Sequence, residues 1–173
     1  MARVGYRVRQ FGRLVWPQPL TVAERQQVAA VLSRRQQLLF YEFAVSDQRH
    51  SYRVLQMLLA AGETEPSLLV AALLHDIGKI CHPVYVWDRV LIVLGEAFLP
   101  RRVAAWGLGE AGGWKRPFVI RAQHPAWGAE LVQTAGATPL TVRLVARHQE
   151  KLAAPQNDED RLLARLQWAD DRN

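Results

Sequence analysis

The stretch Ala71–Ile80, AALLHDIGKI, decides how this chain is read. Its apolar run suits a helix that Pro66 opens, at a position where the missing N–H costs nothing, and that Gly78 closes. His75 and Asp76 then fall in the last turn. Consecutive helical residues point about 100° apart, so the two side chains can serve one site only at a helix end, and Gly78 supplies that freedom. Adjacent imidazole and carboxylate groups, joined by one more of each from distant helices, form a donor set for a divalent transition metal. His50 lies upstream and the pair Asp170-Asp171 near the C-terminus. His124 and His148 fall between, on segments that also read as helical, and only His82 is left over.

On both sides of this stretch the chain reads as all-α. Residues 3 to 15 fit two patterns, a helix with Val4, Val8, Phe11 and Val15 on one face or a short strand over Val4, Tyr6 and Val8; the helix is preferred, made basic by Arg3, Arg7, Arg9 and Arg13 and ended by Pro17 and Pro19. Thr21 with Glu24 makes a capping box for a helix from Val22 to about Leu32. An apolar segment from Leu38 to Val45 leads to Ser46, which can cap a helix from Asp47 to Ala61, with His50 in its first turn and Gly62 after its end. Residues 84 to 99 read as a buried core helix, and the glycines from Gly107 to Gly113 as a loop. A helix from Pro117 to His124 is broken by Pro125 and followed by another ending at Gly136. Thr138 and Pro139 open the helix that carries His148. Ala153 to Asp160 is a polar loop, and Arg161 to Asp170 a last short helix. The expected architecture is a single compact bundle of about seven to nine helices, with no hairpin signal and no internal repeat.

Composition sets the outer bounds. The 173 residues are half hydrophobic and 22% charged, ordinary values for one globular domain with a real core. One cysteine, Cys81, allows no internal disulfide, and no signal peptide is recognisable, so a cytoplasmic location is expected. The longest apolar stretch, Val90 to Leu99, is about half of the roughly 20 residues that a spanning helix needs, so no transmembrane segment is expected. The net charge of +6 favours an anionic partner without choosing among phosphorylated metabolite, nucleotide, nucleic acid and acidic membrane.

The run HDIGK and the order His50, His75-Asp76, Asp170 resemble the HD superfamily of metal-dependent phosphohydrolases in its HDIG form. The resemblance spans about Gln36 to Asp170, which makes 36–171 the HD core and 1–20 a basic N-terminal segment. QHPAWGAELV from Gln123 and VARHQE from Val145 look like the additional-histidine segments of the two-metal branch, which includes the HD-GYP phosphodiesterases. The resemblance implies a first metal held by His50, His75, Asp76 and Asp170 and a second by His124 and His148, with Asp76 as the bridge because each carboxylate oxygen can bind one ion. It favours Asp170 over Asp171, since the family's aspartate follows an alanine, as Asp170 follows Ala169. It also implies hydrolysis of a phosphate mono- or diester by metal-activated hydroxide, with a nucleotide or related small phosphorylated molecule as substrate. Lys79 would place a positive charge on the phosphoryl oxygens, catalytic and substrate-binding at once. Its plainer role is a lysine favoured at a helix C-terminus.

Departures narrow the implication. No GYP follows His148, so cyclic-di-GMP cleavage is not expected. Ser46 and Gln149 occupy the places where some members gather a third metal, which limits the count to one or two ions. Mixed histidine and carboxylate donors suit Fe, Mn, Zn, Ni or Co. Two other classes stand beside the enzyme: a catalytically silent module that senses a ligand or metal, and a nucleic-acid-binding protein supported by charge alone. Arg49, Arg53 and Arg89 flank the site in sequence and could contact phosphate, but read first as surface residues; His82 reads as a hydrogen-bonded core residue, and the tryptophans, which could stack on a base, as core or rim.

Overall fold

The computed structural model describes residues 18–82 and 85–173, with the side chains of Val86 and Arg89 excepted. The basic helix expected over residues 3 to 15 lies outside the described residues, as does the Arg89 side chain. Nine α-helices and no strand occur among the described residues: α1 Val22–Val31, α2 Arg34–Phe40, α3 Val45–Ala60, α4 Pro66–Leu74, α5 Val86–Phe98, α6 Pro100–Trp106, α7 Arg116–Thr134, α8 Pro139–Arg147 and α9 Asp158–Asp170. Short 3-10 turns, Ile77–Cys81 and Gly113–Lys115, follow α4 and precede α7.

Most helix starts obey local chemistry. Thr21 and Glu24 form the expected capping box, and Ser33 with Gln36 forms another that begins α2 four residues ahead of the apolar segment. Thr138 caps α8 by accepting from the Thr141 amide at 3.1 Å. Asn157 accepts from the Asp160 amide at 2.8 Å, so α9 begins at Asp158 rather than Arg161. Its acidic first turn suits the positive end of the helix dipole.

Helix α3 corrects the expected Ser46 cap. It starts at Val45 behind Ala44, with no side-chain cap, and Gln48 reaches back to donate to the Phe43 carbonyl at 2.9 Å. His50 therefore stands in the second turn, not the first. Pro125 does not break α7, which runs unbroken from Arg116 to Thr134. An interior proline removes one helical hydrogen bond and crowds a carbonyl, a cost of about 3 kcal/mol. Here His124, Pro125, Gly128 and Ala129 are all buried, and that packing offsets the local cost.

The core forms where α3, α4, α8 and α9 meet. Leu55, Leu58, Leu73, Leu74, Leu144, Leu163 and Leu166 are wholly buried there. Arg49 ties α3 to the segment before α1, pairing with Glu24 at 2.6 Å and donating to the Gln18 and Pro19 carbonyls, a structural role.

Helix α5 is not the buried core helix that its composition suggests. Gly95 is buried against α7, where an added Cβ would meet the Phe118 ring at 2.6 Å, but Leu91, Val93, Leu94 and Phe98 are exposed. The helix touches α6 and α7, and no layer of described residues covers its other side. Helix α6, which the sequence reading leaves unassigned, starts at Pro100 and packs Val103 toward Gly95.

Candidate metal centre

The C-terminal ends of α4, α8 and α9 converge. His75 is the C-cap of α4, His148 the C-cap of α8, and Asp170 the last residue of α9. Helix C-termini carry partial negative charge, so this arrangement favours a cation before any side chain is considered. His50 on α3 and His124 on α7 reach the same point from helix interiors.

Glycine makes the approach possible. Chain direction changes after His75, where Asp76 adopts φ −93°, ψ 3° and the 3-10 turn begins. Gly78 is not a left-handed helix cap as the sequence suggests; it is a point of backbone contact. A Cβ on Gly78 would stand 2.0 Å from the His124 carbonyl oxygen, and one on Gly128 would stand 3.1 Å from the Gly78 nitrogen. Two glycines facing each other let the turn press onto α7, which sets Asp76 beside His124.

All six residues named from the sequence meet. Asp76 divides its carboxylate: Oδ2 lies 3.5 Å from His75 Nε2 and 3.9 Å from His50 Nε2, while Oδ1 lies 3.2 Å from His124 Nε2 and 3.6 Å from His148 Nε2. Asp170 Oδ1 joins the first side, 2.9 Å from His50 and 3.5 Å from His75. Asp171 caps α9 and is exposed, apart from the cluster. His82 is half-buried against the Trp127 ring, centroids 5.0 Å apart, and takes no part.

The donor set fits divalent ions. Nitrogen and oxygen donors sharing an ion at about 2.1 Å stand about 3.0–3.4 Å apart in octahedral or tetrahedral shells, close to these separations. His75, His124 and His148 each donate Nδ1–H to a backbone carbonyl, of Ala72 at 3.1 Å, Ile120 at 2.9 Å and Val145 at 2.8 Å. These bonds fix the tautomer and leave Nε2 as the free donor, as metal-ligating histidines require. His124 and His148 then oppose their Nε2 lone pairs at 3.2 Å, a contact that calls for a cation or a proton between them. His75 Nε2 is buried and has no hydrogen-bond partner among the described residues, which is costly for a polar atom unless something else engages it. The groups His50, His75, Asp76 and Asp76, His124, His148 could each hold a metal ion.

Charge follows the same geometry. Burial pushes the Asp76 carboxyl up, but Lys79 and the surrounding histidines outweigh it and hold the group well below the usual carboxylate range. Asp170 is likewise lowered, burial being overcome by His50 and His75. Burial pulls His75 down, yet the two carboxylates raise it above its ordinary value. Burial prevails at His124, which is lowered.

Lys79 leads back into the site, where its Nζ donates to Asp76 Oδ2. Three residues support the cluster: Gln149, known from the sequence only as the residue in a third-metal position, and Arg147 and Gln167, which the sequence did not single out. Gln149 places its amide 3.1 Å from His124 Nε2. Arg147 binds Glu150, Glu159 and Asp160 and so ties the end of α8 to the start of α9. Gln167 donates to the His148 and Glu150 carbonyls at 3.0 and 2.7 Å. Only the acidic run at 158–160, opposite an arginine beside His148, gave any signal of this clamp.

No curated protein and no solved structure matches the chain. Residues 48–171 match the family model of the HD domain, and that stretch contains His50, His75, Asp76, His124, His148 and Asp170. Over most of its length, in its fold and in its cluster of histidines and aspartates, the chain belongs to the HD domain family of metal-dependent phosphohydrolases.

Proposed function

We propose that the protein hydrolyses a phosphate mono- or diester, of a nucleotide or a related small phosphorylated molecule, at a two-metal centre. The observation that carries this reading is the division of Asp76 between two histidine sets, which suits a carboxylate bridging two ions. His50, His75 and Asp170 would hold one ion with Asp76 Oδ2, and His124 and His148 the other with Oδ1. When bound, such ions supply Lewis acidity toward phosphoryl oxygens and a water acidic enough to attack at neutral pH.

The protein's own groups do the rest. The carbonyl-bound Nδ1 atoms of His75, His124 and His148 keep donors from three helices aimed at one point without reorganisation. Lys79 is tethered at the rim on the Oδ2 side, one quarter exposed. There its ammonium can exchange Asp76 for a phosphoryl oxygen when substrate enters and oppose the charge that grows on phosphorus oxygens. The net charge of +6 favours association with anionic substrates in general.

The test is elemental analysis of the purified protein, joined to a phosphohydrolase screen with Fe, Mn, Zn, Ni or Co added back to chelated protein. Near two equivalents of one metal and turnover of a phosphate ester are expected, and Asp76→Ala should lose most of both. Two bound ions with no turnover of any phosphate ester would assign the site to sensing instead. Full metal content in Asp76→Ala would remove the bridging role.

A further inference from the structure

We propose that the outer face of α5, with the groove between α5, α6 and the Gly113–Lys115 turn, docks on an anionic membrane surface. The face is apolar and open: Trp87 is 77% exposed, Phe98 75%, Val93 63% and Leu94 49%. It continues into an apolar groove of about 370 Å³ reaching Trp106 and Trp114. Scattered exposed apolar residues are ordinary, but a contiguous patch of this kind marks an interaction surface.

Charge selects the occupant. The two acidic residues of α5 are both engaged on the protein side, Asp88 with Arg116 at 3.0 Å and Glu96 with Arg121 at 3.2 Å. Arg101 and Arg102, in the first turn of α6, are exposed, and Lys115 holds its ammonium over the Trp114 ring at the rim of the groove. Residues 85 to 116 carry five basic side chains against three acidic ones. An apolar helical face with exposed tryptophan and a basic flank is the composition that lies in the headgroup boundary of anionic bilayers. No described helix is long and apolar enough to cross a membrane, so the contact would be with the surface.

The experiment is co-sedimentation of the full chain with vesicles of phosphatidylcholine alone or of phosphatidylcholine mixed with phosphatidylglycerol, at low and high salt. Binding to the anionic vesicles alone, weakened by salt, is expected. Trp87→Ser/Phe98→Ser, which keeps every charge, should bind at least about tenfold more weakly. Both positions are exposed, so far-UV circular dichroism should confirm that the variant stays folded. Arg101→Glu/Arg102→Glu should weaken binding with the apolar face intact. Equal binding by the Trp87→Ser/Phe98→Ser variant would reduce the effect to bulk charge and overturn the proposal. A concentration-dependent dimer in sedimentation velocity, abolished by those substitutions and accompanied by no vesicle binding, would give the face to a second copy and overturn it as well.

Discussion

Helix α7 has two sides that the chain treats oppositely. On one, the backbone of the Ile77–Cys81 turn is pressed against His124 and Gly128 so closely that two glycines are required. On the other, α5 is held by Gly95 and two ion pairs and leaves its bulky side chains uncovered. The first side gives up side-chain volume to bring polar groups together in the interior. The second keeps apolar volume outside, where it adds little to folding. Position-setting contacts and apolar burial are thus separated along a single helix, and substitutions on its two sides should have very different effects.

The largest effect is expected at Lys79, which the proposed mechanism sets against the phosphoryl group. Lys79→Met keeps the apolar stem and removes the charge. If the ammonium acts on the phosphoryl group, the rate should fall about two to three orders of magnitude while metal content holds. Steady-state kinetics on the best substrate, beside elemental analysis, checks this. An unchanged rate would leave Lys79 as the partner of Asp76 and a helix-end cation only.

Next comes the glycine contact. In Gly78→Ala the new methyl must displace backbone of α7, not a movable side chain, so a loss of at least about 3 kcal/mol is expected. For a chain of this size that is a fall in Tm of about 6–12 °C. Metal should be lost with it, since Asp76 and His124 are placed by this contact. A stable, metal-replete Gly78→Ala would show that the close approach is not needed.

The protonation of the site gives a smaller, graded effect in chelator-treated protein. Asp76 and Asp170 are held below the usual carboxylate range, so their contribution is present above the unfolded value of about 4 and is lost as pH falls through the folded values. His124, lowered by burial, acts in the same direction below about 6.5, because the unfolded chain takes up its proton first. His75 is raised, so its contribution is present below about 6.5 and is lost as pH rises through the folded value. The Tm of chelated protein should therefore fall toward acid and also decline on the alkaline side. Metal-loaded protein should gain over it as pH rises, because binding needs neutral imidazoles. A flat Tm profile across this range for the chelated protein would argue against the coupling of these groups.

Much of this was legible in the sequence for local reasons. The Thr21–Glu24 capping box, Pro66 and Gly62 fix helix ends through contacts within a few residues, and the six residues of the candidate centre were named from their order and type together with the family resemblance. What escaped was decided at a distance. Pro125 reads as a break until the burial of α7 against the turn is known. Gly78 reads as a cap, although its Cβ-less surface faces a carbonyl nearly fifty residues away in sequence. Gln149 was legible only as a departure from a third-metal set, and Gln167 carries no signal of its own, since a glutamine that supports a ligand looks like any other. Residues 90 to 99 read as core because hydrophobicity alone cannot say whether anything lies opposite.

The smallest effect is expected on that uncovered side. Phe98 is three-quarters exposed, and truncating an exposed side chain away from caps and buried networks usually changes stability by no more than about 0.5 kcal/mol. Phe98→Ala should therefore shift Tm by no more than about 2 °C. Its metal content and hydrolytic rate in solution should match the parent, since α5 contributes no described side chain to the cluster. A loss of more than about 2 kcal/mol would mean that Phe98 is packed in solution against something other than water, as a buried phenylalanine would be. Near-neutrality would show that α5 keeps a phenylalanine where folding gains little from it. Its retention there would then call for a partner surface.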